Sequence, residues 1–149
     1  MQKHKFKHTL LSLALLLCSL TALATDKPNQ TDFERYTVRH VIFNSTFILP
    51  EIARSYGIKR SKYESLINVS VSELGQSGGL AVKLSGTSRN LLQQQKVLEF
   101  IEIKEQGTTY YLAPIKISGE EILHLHLSVV PEGEQAPLEV KFSQKVYSD

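Results

Sequence analysis

Ser65-Leu66-Ile67-Asn68-Val69-Ser70-Val71-Ser72-Glu73 is the stretch that decides the fold. Ile67, Val69 and Val71 fall on one side of an extended chain, and Asn68, Ser70 and Ser72 fall on the other. A period of two with one apolar side is the pattern of a strand that buries one face. Gly75-Gln76-Ser77-Gly78-Gly79 then supplies a turn, after which Leu80, Val82 and Leu84 alternate again. The sequence predicts a hairpin of these two strands.

The same reading extends in both directions. Glu34–Phe43 has strand composition, with Tyr36, Val38, His40 and Ile42 on one face. Val97–Glu105, the break Gln106-Gly107 and Thr108–Ile117 predict a second hairpin. Ile122–Val130 places Leu123, Leu125, Leu127 and Val129 inward and ends at Pro131. Leu138–Tyr147 closes the series, with Leu138, Val140, Phe142 and Val146 in register. One segment departs from the period of two. In Leu49–Tyr56 the residues Leu49, Ile52, Ala53 and Tyr56 form a helical stripe, Pro50 suits a first turn and Gly57 suits the position past the end. The expected fold is all-β, an immunoglobulin-like antiparallel β-sandwich of about seven strands with one short inserted helix. A partly closed barrel is the alternative.

The N-terminus reads differently. Lys3, Lys5 and Lys7 precede a leucine-rich run from Leu10 to Leu20, which ends at Ala22-Leu23-Ala24. That is the layout of a secretory signal peptide over residues 1–24, with cleavage after Ala24. The apolar run is shorter than the roughly 20 residues a membrane span needs. Lipidation at Cys18 would want a small residue before it, where Leu17 stands. Residues 25–32, with Pro28 and Asn29, read as a flexible lead-in, and residues 33–149 as one sandwich domain. The expected location is the periplasm, with no stable membrane insertion after cleavage.

Removing the leader changes what the composition excludes. The full chain of 149 residues has 17 Lys+Arg against 15 Asp+Glu, one Cys and one Met. Without residues 1–24 it has 14 basic residues against 15 acidic, a formal charge of −1, and neither Cys nor Met. Disulfides, thiol nucleophiles, thiolate zinc sites and iron–sulfur clusters are thereby excluded, as are the soft ligands of Cu(I). Asp26, Asp32 and Asp149 are the only aspartates and stand near the ends, which argues against an aspartate-led triad. A near-neutral chain has no electrostatic reason to seek nucleic acid.

Two places could carry chemistry. His124-Leu125-His126 puts two imidazoles on one strand face, where both could bind one Zn²⁺ or Cu²⁺, with His40 as a possible third ligand. Two solvent-facing His on an amphipathic strand need no metal, and that simpler account is favoured, so no cofactor is expected. The stretch Asn44–Asn68 is the second place. Asn44, Thr46, Tyr56, Arg60 and Ser61 could line a ligand or partner cleft, with Arg60 as anion contact and Tyr56 as a packing wall. Equally, Asn44 and Thr46 could cap the helix while Phe47 and Tyr56 plug the end of the sandwich. No Gly-x-Ser-x-Gly, Gly-x-Gly-x-x-Gly or P-loop motif is present, so a hydrolase reading waits on a pocket that brings a Ser and a His within hydrogen-bond distance.

Asn44-Ser45-Thr46-Phe47, Leu49-Pro50-Glu51-Ile52-Ala53, Tyr56-Gly57-Ile58, Arg60-Ser61 and Asn68-Val69-Ser70-Val71 form a series of blocks. Asn90-Leu91, Leu98-Glu99-Phe100, Tyr110-Tyr111-Leu112-Ala113 and Phe142-Ser143-Gln144-Lys145-Val146-Tyr147 continue it. With these blocks the chain resembles the bacterial family of unknown function numbered 4426. The resemblance implies a small exported protein of the Gram-negative envelope with a sandwich-like fold, and it implies no activity. His124-Leu125-His126 lies outside its pattern. Together these readings predict a binding or accessory module rather than an enzyme. Its partner would be an envelope protein or a small ligand, with a divalent-metal protein and a hydrolase as alternatives.

Overall fold

The computed structural model describes residues 28–148. The expected leader, its cleavage point and Cys18 lie outside those residues. Nine strands are formed among the described residues: β1 Gln30–Asp32, β2 Tyr36–Asn44, β3 Glu64–Glu73, β4 Val82–Arg89, β5 Gln95–Val97, β6 Ile101–Glu105, β7 Thr108–Lys116, β8 Glu120–Pro131 and β9 Leu138–Tyr147. A 3₁₀ turn, Ser45–Phe47, and one short helix, α1 Pro50–Ser55, lie between β2 and β3.

The strands make two antiparallel sheets, in the orders β1-β2-β3-β7-β6 and β5-β4-β8-β9. That is the strand order of an immunoglobulin-like sandwich with one added edge strand on each sheet, β1 on the first and β5 on the second. The inward residues are those the alternation assigns. Val38, Ile67, Val69, Val71, Leu127 and Val129 are fully buried between the sheets. Each such side chain contributes about 1.5–3 kcal/mol by leaving water, and together they hold the two layers face to face.

Four expectations are corrected. The first hairpin does not form. β3 pairs with β2 and β7, while β4 pairs with β5 and β8 in the other sheet. The glycine-rich turn carries the chain across the sandwich instead of back along the same sheet. A single bond from Leu80 N–H to the Val71 carbonyl, 2.7 Å, spans the crossing. Gly79 permits it, because a Cβ there would stand 1.9 Å from the Thr109 carbonyl oxygen. Second, Val97–Glu105 is not one strand. Its start belongs to β5 in the four-stranded sheet, and from Ile101 it is β6 in the five-stranded sheet. Leu98, whose N–H bonds to the Gly86 carbonyl, anchors the change of sheet. Third, the lead-in ends early, since β1 pairs with β2 from Gln30↔Arg39 to Asp32↔Thr37. These two short edge strands, β1 and β5, account for nine strands where about seven were expected.

The fourth correction concerns the outer face of the five-stranded sheet. It is not simply polar. α1 and the loop after it lie over one end, and Ala53 and Ile58 meet Leu66, Ile103 and Leu112 in a second apolar cluster. Phe43, Tyr56 and Tyr110 flank it. The helical stripe is therefore used through Ala53 and Tyr56, but Leu49 is 59% exposed and Phe47 is 76% exposed. Phe47 plugs nothing. Pro50 opens α1 and Gly57 follows it with φ +66°, as the sequence predicts.

Candidate functional site

The helix-bearing connection brings its expected residues together, chiefly to bond one another. Asn44, buried at the end of β2, accepts the Thr46 N–H on Oδ1 at 2.9 Å and donates Nδ2 to the Lys62 carbonyl at 3.2 Å. It thus caps the 3₁₀ turn and not α1, whose N-cap Leu49 makes no side-chain bond. Ser45, wholly buried, accepts the Ser61 N–H at 2.8 Å and donates to the Ser61 carbonyl at 3.0 Å. Arg60 donates to the Thr46 carbonyl at 2.8 Å, and the Ser61 hydroxyl accepts the Tyr63 N–H at 3.2 Å. Tyr56 packs on the second apolar cluster. Two segments of irregular chain have their backbone groups satisfied by side chains here, which is what such chain requires once buried.

His124 and His126 stand elsewhere, on the outer face of the four-stranded sheet. β8 buries Leu123, Leu125 and Leu127, and the period of two turns the two His outward. Strand register then builds two rows across the sheet. Gln95, Arg89, His124 and Ser143 are successive cross-strand partners in one; Val97, Thr87, His126 and Lys141 are in the other. Neighbours in a row are about 4.8 Å apart. The rows enclose an open pocket of about 470 Å³, lined by Thr87, Arg89, Gln95, both His, Lys141 and Ser143 among others. His124 Nδ1 lies 2.7 Å from Ser143 Oγ. His126 Nε2 pairs with Glu139, which also accepts from the Ser128 hydroxyl. The His126 hydrogen bond, with help from Ser128, holds the Glu139 carboxyl below its ordinary pKa.

His40 does not join them. It is 4% exposed on the inner face of β2, stacked on the Phe142 ring between the sheets. The four-stranded sheet stands between it and the outward-facing pair, so the expected third metal ligand is absent from that site. Among the described residues no three His, Cys, Asp or Glu are grouped so as to hold a metal ion. Arg89, Lys141, Thr87, Gln95 and Ser143 were missed by sequence reasoning. The signal available was their outward parity on alternating strands, but only the register shows that they flank the two His.

Fold and pocket define an immunoglobulin-like β-sandwich that presents a polar, cation-rich concavity on one sheet. The chain belongs to the family described as domain of unknown function DUF4426, whose model matches residues 30–149. It is similar to a crystal structure of a DUF4426 family protein from Pseudomonas aeruginosa PAO1, with 29% identity and a TM-score of 0.73 over 80% of this chain and 94% of that one. FetP from uropathogenic Escherichia coli strain F11, expressed in the periplasm of E. coli BL21(DE3), has 13% identity and a TM-score of 0.57 over 79% of this chain and 92% of that one. A copper-bound variant of FetP has 15% identity and a TM-score of 0.58, covering 79% of this chain and 93% of that one. At those identities the likeness to FetP is one of fold. No curated protein matches this chain.

Proposed function

We propose that this chain is a non-enzymatic binding module of the cell envelope, exported to the periplasm by residues 1–24, and that it binds a small anion on the outer face of the four-stranded sheet. One observation carries the reading: register places the guanidinium of Arg89, the ammonium of Lys141 and two imidazoles around one pocket, with Thr87, Gln95 and Ser143 as neutral hydrogen-bonding groups. Arg and Lys donors converging on one concavity suit a carboxylate or phosphate. Asn44, Thr46, Arg60 and Ser61 are read as a clasp, since their polar atoms bond the clasp itself. The test is calorimetric titration of residues 25–149 with inorganic phosphate and with succinate. Saturable binding to at least one, weakened fivefold or more by Arg89→Gln, is expected; no saturable binding to either removes the reading. Periplasmic fractions should contain a chain whose N-terminus is Thr25.

A divalent-metal protein is the second reading. His124 and His126 share one face and one pocket, and a copper-bound protein shares the fold. Against it, Arg89 and Lys141 flank the pair, and the His126 Nε2 that a metal would use is already paired with Glu139. Titration with Zn²⁺ and Cu²⁺ decides, since binding no tighter than that of the His124→Ala, His126→Ala double variant excludes it. The hydrolase alternative meets its minimal condition in the 2.7 Å approach of Ser143 to His124. His124 has no bonded carboxylate among the described residues to orient it, and the pair lies on an open strand face. A nucleophile and base without an orienting group or oxyanion donors make a poor catalyst.

A further inference from the structure

We propose that the outer face of the five-stranded sheet holds a separate binding site for an acidic, polyhydroxylated ligand of glycan type. Beside the area covered by α1, that face turns polar, and a groove of about 550 Å³ opens over Arg39, Asn68, Ser70, Ser77, Thr108 and Tyr110. β2, β3 and β7 supply the floor, and the crossing loop after β3 supplies one rim.

Three features point to a ligand. Asn68 Oδ1 is buried and has no donor. Buried amide oxygens are nearly always paired, so a donor from outside the chain, a water or a ligand O–H that displaces it, completes this one. Arg39 donates to Ser72 Oγ at 2.8 Å, which fixes its guanidinium at the groove with other N–H donors left to offer. That is the complement of a carboxylate. The remaining lining is hydroxyl-bearing, able both to donate and to accept, beside the half-buried Tyr110 ring. A molecule rich in hydroxyls and carrying an acid matches all three. A peptide strand fits poorly. Extended peptides add at sheet edges through main-chain bonds, whereas β3 pairs with β2 along its length and with β7 as far as Val69, and beyond that the Val71 carbonyl already accepts the Leu80 N–H.

The probes are a galacturonic acid hexamer, the neutral maltohexaose and a Gly-Ser hexapeptide, each titrated into residues 25–149 with backbone amide NMR as the readout. The galacturonate hexamer should shift the amides of residues 39, 68, 70 and 110 saturably. Maltohexaose should bind at least fivefold more weakly, and the peptide should not bind there. Asn68→Leu and Arg39→Gln should each weaken the galacturonate at least tenfold at these amides, while Lys83→Gln, which removes an exposed cation from β4 on the opposite sheet, leaves their shifts unchanged. Because Asn68 Oδ1 has no partner within the chain, Asn68→Leu should fold with an undiminished melting temperature. Four outcomes would overturn the proposal: no saturable shifts, equal affinity for maltohexaose, a matching response to the peptide, or a destabilised Asn68→Leu chain with normal binding.

Discussion

The imidazole of His40 lies flat against the Phe142 ring, with centroids 3.7 Å apart and planes inclined by 18°. β2 and β9 belong to different sheets, so this stack is a direct link between the two layers. His40 Nδ1 is buried with no hydrogen-bond partner, and burial lowers the pKa of the ring. The unfolded chain therefore binds the proton more readily than the folded one. Stability from this residue is complete above the unfolded value of about 6.5 and is lost as pH falls through it toward the lower folded value. The slope from one such group is at most about 1.4 kcal/mol per pH unit. Urea unfolding at pH 7.5 and pH 5.5 should show a larger loss for the native chain than for His40→Phe, which keeps a stacked ring and has nothing to protonate. Equal losses in the two chains would remove His40 as the cause.

The second link between the sheets is polar. Tyr111, 5% exposed on β7, accepts the Val82 N–H at 2.8 Å and lies 2.9 Å from the Val82 carbonyl, with a Glu102 oxygen at 3.2 Å. One phenol thereby satisfies both backbone groups of the residue that opens β4. Tyr111→Phe keeps the ring and strips the partner, leaving a backbone N–H and carbonyl short of bonds. The expected loss is about 1–3 kcal/mol in chemical denaturation. A loss under about 0.5 kcal/mol would mean that water replaces the hydroxyl.

Gly79 is needed for want of room. The chain passes so close to β7 that an added Cβ would meet backbone, the Thr109 carbonyl oxygen and carbon at 1.9 and 2.9 Å. Backbone cannot swing aside as a side-chain tip can, so Gly79→Ala must displace the crossing loop. It should cost several kcal/mol, at the upper end of overpacking effects, typically about 1–3 kcal/mol. Thr109 N–H also bonds the Gly79 carbonyl at 3.0 Å, and that bond should show faster amide exchange in the variant.

This crossing shows where legibility in the sequence stops. Alternation is a local property, so it assigned the inner faces of β2, β3, β8 and β9 correctly. A Gly-rich turn signals that the chain reverses, but it carries no information on whether the reversal stays within a sheet. Gly79 and Leu98 steer the chain between layers through contacts with Thr109 and Gly86, distant residues that no local window contains. The covered outer face was hidden for a similar reason. Leu66 and Leu112 are buried only because Ala53 and Ile58 arrive from another part of the chain. At the sites, the parity of His124 and His126 was readable, while Arg89 and Lys141 became their neighbours only through register.

The approach of Ser143 to His124 gives a direct check on catalysis. If the pair were a nucleophile and base, Ser143→Ala would abolish turnover of an activated ester such as p-nitrophenyl acetate. With no carboxylate bonded to His124 among the described residues, both chains should hydrolyse the ester at the same rate within error. A rate at least tenfold higher in the native chain would restore the hydrolase reading.

Ser45 separates a clasp from a cleft. Its hydroxyl is wholly buried and bonds both backbone groups of Ser61, tying the end of β2 to the segment that leads into β3. Ser45→Ala leaves a backbone N–H and carbonyl unpaired, and should cost about 1–3 kcal/mol. Arg60→Ala removes one exposed bond to the Thr46 carbonyl, and should cost under about 0.5 kcal/mol, as surface changes usually do. If the connection is a clasp, neither variant alters capture of envelope partners or binding of small anions once the chain is folded. If Arg60→Ala abolishes capture of a partner while stability holds, Arg60 is a contact residue and the connection is a cleft.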